Sequence, residues 1–381
     1  MLFFAKKPAP ETIPAPRRTP VCEGDVMATG KHPFAFAWRR GIIAASLAGV
    51  ASMPAQALVI DTTFDSSVTS LSNASTVEGY FNAVTSIYQT LFKDPVTVNI
   101  TVSWGSVGGV ALPSNAIGAS LDPLYGYYTY NQIRSALFND RKTVFDLSSL
   151  SHTPNSAPSG TTLYAVPSAE AKALGLIPAT QTASDGAIGF AGSSTSGFTY
   201  GRSGIAAGTY DFIAVAEHEV AEVLGRISGV DASGTAFRTP LDLFRFLSPG
   251  VLSTACSDPA YLSIDGGTTS LGKFNNSPSG GDCSDWLTTA TSTDASDAFI
   301  STGQQKDLSL ADLQALDITG WDFGVPGIQI GASTGAPTAA TLTSTLHTAL
   351  ASIPEPSALL PILSGALVLF GWRRRRVRAA P

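Results

Sequence analysis

Basic residues are scarce where this chain would need them to hold nucleic acid. Residues 58–353 carry 11 Lys/Arg against 25 Asp/Glu, a formal charge of −14, and the other 12 Lys/Arg lie in the two ends. That acidic body excludes a nucleic-acid surface, which is built on clustered Lys and Arg. Cysteine is nearly absent: Cys22 lies near the start, and Cys256 and Cys283 are the two of the body. Two cysteines cannot complete a zinc ribbon, and in an oxidising compartment they most simply form one disulfide. Histidine is just as sparse. Apart from His347, in an Ala/Thr/Ser-rich stretch near the end, the body holds His152 and His218. There is no G-x-S-x-G stretch, so with the cysteines paired the sequence gives no support to a serine or cysteine hydrolase. Charged residues make up 14% and hydrophobic ones 44%, which fits a globular chain with a real core. No internal repeat is evident.

What is present at the ends reads as targeting. Arg39 and Arg40 precede the apolar run 41–53, and Ala55-Gln56-Ala57 is a small-x-small cleavage site. This predicts a secretory signal peptide cut after Ala57, with Met27 giving a leader of ordinary length. At the other end, Pro354-Glu355-Pro356, the apolar run 358–372 and the cluster Arg373 to Arg376 follow in order. This resembles the PEP-CTERM sorting tail of Gram-negative bacteria. The resemblance implies recognition by an exosortase, a short helix stopped in the inner membrane and arginines held on the cytoplasmic side. Signal peptidase and exosortase are then the processing partners. The protein would be exported, transiently anchored, and finally at the cell surface or outside it.

The segment 211–229 (DFIAVAEHEVAEVLGRISG) reads as one amphipathic helix with Phe212, Ala216, Val220 and Val223 on its apolar face. Asp211 is the expected N-cap, and Gly225 or Gly229 the expected end. His218 and Glu222, four apart, project from the same side. Glu219 lies about 100° round the axis from His218, where it can flank a ligand the other two hold. Gly225 returns to nearly the azimuth of His218 and would leave room beside that ligand. The pattern resembles the H-E-x-x-H helix of zincin metallopeptidases, and its trailing glycine the longer metzincin form. Glu222 stands at the second histidine and Ser228 at the metzincin third-ligand position. The resemblance implies zinc held by His218 and Glu222, with Glu219 as general base toward the metal-bound water.

Around this helix the pattern predicts an α+β, zincin-like fold. A sheet-and-helix upper half, the central helix and a loop-rich lower half would together span 58–323. Strands are expected at 58–64, 95–104, 187–190 and 197–200. Helices are expected at 75–92 (Ser75 and Glu78 forming a capping box), 130–138, 168–174 and 309–316, with Ser/Pro-rich loops at 105–128 and 148–161. By the zincin analogy, the strand beside the cleft that would pair with an extended peptide is 187–191. Residues 324–352 read as a linker, 353–381 as the sorting tail and 1–57 as the leader. In 261–286, oxygen ligands on Gly-rich loops make Asp265, Asp282 and Asp285 candidate Ca²⁺ ligands, while Asx turns in a solvated loop account better for the same residues, since no EF-hand or nonapeptide spacing is present. The run from Tyr261 through Asp322, with the His218 helix, is similar to a group of bacterial metalloproteases that carry the same tail.

A catalytic zinc needs three protein ligands and an open position. Ser228 is a poor ligand, Asp231 follows the helix in a loop, and His152 falls in a Ser/Pro-rich stretch. Asp242, 20 residues beyond Glu222 in the apolar run 240–246, is the expected third ligand. There a metal would satisfy a carboxylate costly to bury, and so would an ion pair with Arg245 or Arg226. Two functions follow. One is a secreted zinc endopeptidase acting on peptide or protein substrates. The other is an inactive zincin-like surface or matrix protein, associated with exopolysaccharide.

Overall fold

The computed structural model describes residues 57–160, 163–192, 197–231, 237–278 and 280–324. The expected leader, linker and sorting tail lie outside them, positions 57 and 324 apart. Among the described residues no helix is long and apolar enough to cross a membrane.

The chain folds as a mixed α+β structure with several open sheets. In order it forms β1 (Val59–Phe64), α1 (Ser66–Thr69), α2 (Ala74–Leu91), β2 (Thr97–Trp104), β3 (Gly118–Leu121), α3 (Tyr130–Asp140), α4 (Val144–Ser151), α5 (Ser168–Ala173), β4 (Gly186–Phe190), α6 (Phe212–Val223) and α7 (Leu310–Asp317). The main sheet has the order β1-β2-β4-β3. β1, β2 and β4 run parallel, and β3 is antiparallel to β4 at one edge. β2 shows why it is a strand: Val98, Ile100 and Val102 alternate inward and are buried.

Helices α2 and α6 pack against each other and against this sheet. Phe190 of β4 meets Phe212 of α6 at 4.7 Å and Phe81 of α2 edge-on at 6.1 Å. Burying each such ring stabilises by about 1.5–3 kcal/mol. The Tyr88 hydroxyl donates to the Glu217 carbonyl at 2.6 Å and locks α2 to α6. After α6 the chain is built from short strands and turns. An antiparallel sheet links Val251–Leu252, Arg245–Ser248, Tyr261–Leu262 and Gly272–Lys273. Cys256 and Cys283 form the expected disulfide, with Cα atoms 5.4 Å apart. Trp321 closes the core, its indole donating to the Leu224 carbonyl at the end of α6 at 2.7 Å.

Several expectations change. Residues 187–191 are not the sheet edge, because β4 is paired on both sides; the edge beside α6 is β3, inside the expected loop. The helix α2 starts at Ala74 with Asn73 as N-cap, so Ser75 and Glu78 fall inside it and form no capping box. The expected loop 148–161 is helical to Ser151, and His152 caps that helix. Helix α6 ends at Val223, and Gly225 takes φ +117°, where a side chain would be strained. A Cβ on Gly225 would lie 3.0 Å from Glu170 Cβ, so the missing side chain makes room for Glu170 rather than for a ligand of His218.

Glu170 itself is fully buried, and among the described residues neither of its oxygens has a hydrogen-bond partner. Burial, reinforced by Asp242, pushes its pKa well above the ordinary carboxylate value. The folded state therefore holds a proton that the unfolded chain releases. Stability falls as pH rises from the unfolded value toward the folded one. Glu170→Met should stabilise the protein by about 1–3 kcal/mol near pH 5 through removal of the unsatisfied polar atoms, and by more at pH 8. Urea unfolding at the two pH values measures this. A gain that shrinks at pH 8 would refute the account.

Candidate metal centre

Helix α6 is buried on all sides, and His218 is its one residue that is not. Asp211 caps it, accepting from the Ala214 amide at 3.1 Å, and is itself held by Arg202 at 3.0 Å. The three glutamates of the helix have separate surroundings. Glu217 pairs with Arg202 at 2.8 Å, and burial, partly offset by that arginine, places its pKa at about 7. Glu222 accepts from Ser120 of β3 at 2.9 Å through Oε2, while among the described residues its buried Oε1 has no hydrogen-bond partner. Glu219 lies against β3, where a Cβ on Gly118 would stand 2.4 Å from its Oε1. Its Oε2 is buried without a partner. Glycine at 118 is what lets the edge strand approach this carboxylate so closely.

His218 and Glu222 project together, as their spacing dictates, with Nε2 3.7 Å from Glu222 Oε1. The third group is Asp285, whose Oδ1 lies 3.5 Å from His218 Nε2. One ligand atom from each of the three lies within 4.8 Å of the others. Around a tetrahedral zinc with bonds near 2.0–2.1 Å, ligand atoms stand about 3.3–3.5 Å apart, close to these separations. His218 Nδ1 is 3.1 Å from the Ala295 carbonyl. A carbonyl only accepts, so Nδ1 carries the hydrogen and Nε2 is left to face the cluster, the arrangement that orients a metal-ligating imidazole.

Asp285 stands on a tied-down segment. Its Oδ2 accepts from the Asp282 amide at 3.2 Å, and its carbonyl accepts from the Asn275 amide at 2.7 Å. Cys283, two residues earlier, is bonded to Cys256, and its carbonyl accepts from Arg245 at 2.5 Å. Trp286, the next residue, donates to Asp312 at 2.7 Å and lies under the Arg226 guanidinium. Arg226 also approaches Asp285 Oδ1 at 3.7 Å.

The chain matches no family model, no curated protein and no solved structure. The site therefore stands on its own chemistry. Burial would lower the His218 pKa, but Asp285 and Glu222 outweigh it and hold the imidazole well above its usual value. Burial would raise Glu222, but His218 and Ser120 keep it down at about 2. Asp285 is pushed to about 7 by burial, against the pull of His218. Glu219 is raised well above the usual carboxylate range by burial and by Glu222. The Ser120 hydroxyl is also 2.8 Å from Asp122 Oδ2, yet it has one hydrogen to give. Burial and Glu222 raise the Asp122 pKa strongly. A protonated Asp122 donating to Ser120, which donates to Glu222 Oε2, supplies a hydrogen to each of these two contacts.

Asp242 is not brought to this cluster. Its carboxylate accepts from Ser228 Oγ at 2.5 Å and from the Gly229 and Thr239 amides, each at 2.8 Å. It serves as the capping residue of the 3₁₀ turn Pro240–Phe244, and Arg245 stands 3.9 Å away, at the outer limit of an ion pair. Those partners are the satisfaction the apolar run required, and they also occupy Ser228. His152 is exposed, with Nδ1 on the Ser148 carbonyl at 2.8 Å. The three calcium candidates do not share a site. Asp265 closes a local turn, accepting from Ser263 at 2.7 Å and the Thr269 amide at 2.8 Å, whereas Asp285 joins His218. Asp282 lies close enough to feel Glu222, which with burial raises its pKa.

Proposed function

We propose that the protein is a zinc-dependent endopeptidase of zincin-like architecture, with His218, Glu222 and Asp285 as metal ligands and Glu219 as general base. The observation that carries the reading is a pair of buried carboxylate oxygens, Glu222 Oε1 and Asp285 Oδ1. Among the described residues neither has a hydrogen-bond partner, and both stand at ligand spacing from one imidazole nitrogen. Buried carboxylate oxygens that lack a hydrogen bond are costly even with cations 3.5–3.7 Å away, and a divalent cation between them offsets that cost. An imidazole and two carboxylates suit zinc. When bound, the metal would polarise a carbonyl and acidify a water.

The chain's own groups supply the rest. Glu219 is held beside the cluster but outside it, so its free oxygen can take a proton from an attacking water and pass it to the departing amine. The edge strand β3 supports a peptide substrate. Ala191 donates to the Ile117 carbonyl at 2.8 Å, so in this antiparallel ladder positions 119 and 121 also face β4. The backbone groups of Gly118 and Ser120 then face away from it, where no described strand pairs. An extended peptide added there would run past Glu219.

The test is metal content together with hydrolysis. The purified mature protein should carry one zinc, cleave an unfolded protein substrate, lose that activity to a chelator and regain it with zinc. Protein loaded with one zinc that cleaves nothing in a diverse peptide library would refute the peptidase. Protein that takes up no zinc would favour the inactive surface protein.

A further inference from the structure

A second group of carboxylates lies elsewhere, independent of the His218 site. Asp94 follows α2, Asp140 ends α3, and Asp322 belongs to the closing segment. One oxygen from each lies within 4.8 Å of the others. Asp94 is 1% exposed and Asp322 8%. Asp322 Oδ1 is buried and, among the described residues, has no hydrogen-bond partner. Among the described residues one cation pairs with the group. Lys142 Nζ pairs with Asp322 Oδ2 and stands 3.3 Å from Asp140 Oδ1, while its side chain remains 55% exposed. Three ionised carboxylates would outnumber the one ammonium, and their crowding works against ionisation. Burial and then Asp322 push Asp94 up to about 8 and Asp140 up to about 7.

We propose that Asp94, Asp140 and Asp322 form a structural calcium site that fastens the closing segment of the domain to the ends of α2 and α3. The donors are all oxygen, with no nitrogen or sulfur, which selects a hard cation over zinc. Calcium accepts several carboxylates in a flexible shell at about 2.3–2.6 Å, whereas magnesium demands near-ideal octahedral geometry and usually keeps several waters, so three protein carboxylates on one ion suit calcium better. The backbone around the group is already fixed. The Asp322 amide donates to Asp94 Oδ2 at 2.7 Å, and the Lys93 amide to the Asp322 carbonyl at 3.0 Å. Lys142, tethered by a long and half-exposed stem, is the one partner free to swing out as an ion enters. The consequence reaches α6, because the residue before Asp322 is Trp321, whose indole closes that helix.

The test is a calcium chloride titration of the chelator-treated protein, followed by calorimetry and thermal unfolding. One calcium should bind, and the melting temperature should rise by about 5 °C at a hundredfold excess over Kd. Asp140→Asn should abolish the rise. Asp285→Asn should keep it, which separates this site from the His218 cluster. Lys142→Met should lower the stability of the calcium-free protein and enlarge the response to calcium. No shift in the wild type with an unrescued loss in Lys142→Met would overturn the proposal, leaving Lys142 as the resident counter-ion. So would a response that Asp285→Asn removes and Asp140→Asn retains.

Discussion

Asp285→Asn should strip the protein of zinc and of peptidase activity while leaving it folded. Asparagine keeps the volume of aspartate and can still accept from the Asp282 amide through its side-chain oxygen, so the segment between Cys283 and Trp286 has no reason to move. What it loses is the negative charge 3.5 Å from His218 Nε2. With two protein ligands left, zinc affinity should fall by more than about 100-fold, since changes to mere supporting partners of ligands already cost 10–100-fold. Asp242→Ala is the informative contrast. It unties the Ser228 hydroxyl and the Gly229 and Thr239 amides and should cost about 1–3 kcal/mol of stability. Its zinc should stay, because Asp242 lies outside the cluster. Elemental analysis after dialysis against a zinc buffer, with circular dichroism for folding, reads both variants. Full zinc in Asp285→Asn, or folded and zinc-free Asp242→Ala, would reverse the ligand assignment.

The difference between these two aspartates shows what could be read from the chain without its fold. The helix was legible because its information is local: an i, i+4 pair, a cap at Asp211 and an apolar stripe are all set by the 3.6-residue period. The third group of the cluster is not local. Asp285 stands 3.5 Å from His218 on a segment tied by the disulfide and the Arg245 contact, and no spacing in the sequence encodes that path. One signal was available, since Asp285 sits two residues from a cystine, on a segment that is tied in place. For Asp242, the expectation that a carboxylate in an apolar run must have a strong partner was sound. That partner is local, because Thr239-x-x-Asp242 is itself a capping pattern. The edge strand escaped for a related reason. The face of β3 turned to α6 carries Gly118 and Ser120, which serve Glu219 and Glu222, so the strand shows no apolar alternation. A site's own requirements erased the pattern by which its strand would have been found.

Glu219→Gln should have the opposite signature to the ligand variant: zinc retained and hydrolysis reduced by about 10²–10⁴-fold, the range a positioned general base supplies. Glutamine matches glutamate in shape, which matters because Gly118 of the edge strand packs closely against this side chain. It is also neutral, as burial and Glu222 already press Glu219 to be in the metal-free protein. The substitution should therefore not destabilise the fold, and a small rise in melting temperature is the more natural result. Glu219 contributes no atom to the His218, Glu222 and Asp285 group, so zinc occupancy should match the wild type. What disappears is an oxygen able to accept a proton beside the metal position. The loss should fall on kcat, with KM little changed, because the edge strand that would hold the peptide is untouched. Steady-state kinetics on one peptide, with zinc measured on the same sample, decides the matter. Undiminished kcat in a fully zinc-loaded variant would remove Glu219 from the chemistry. Loss of the zinc itself would instead make it a ligand.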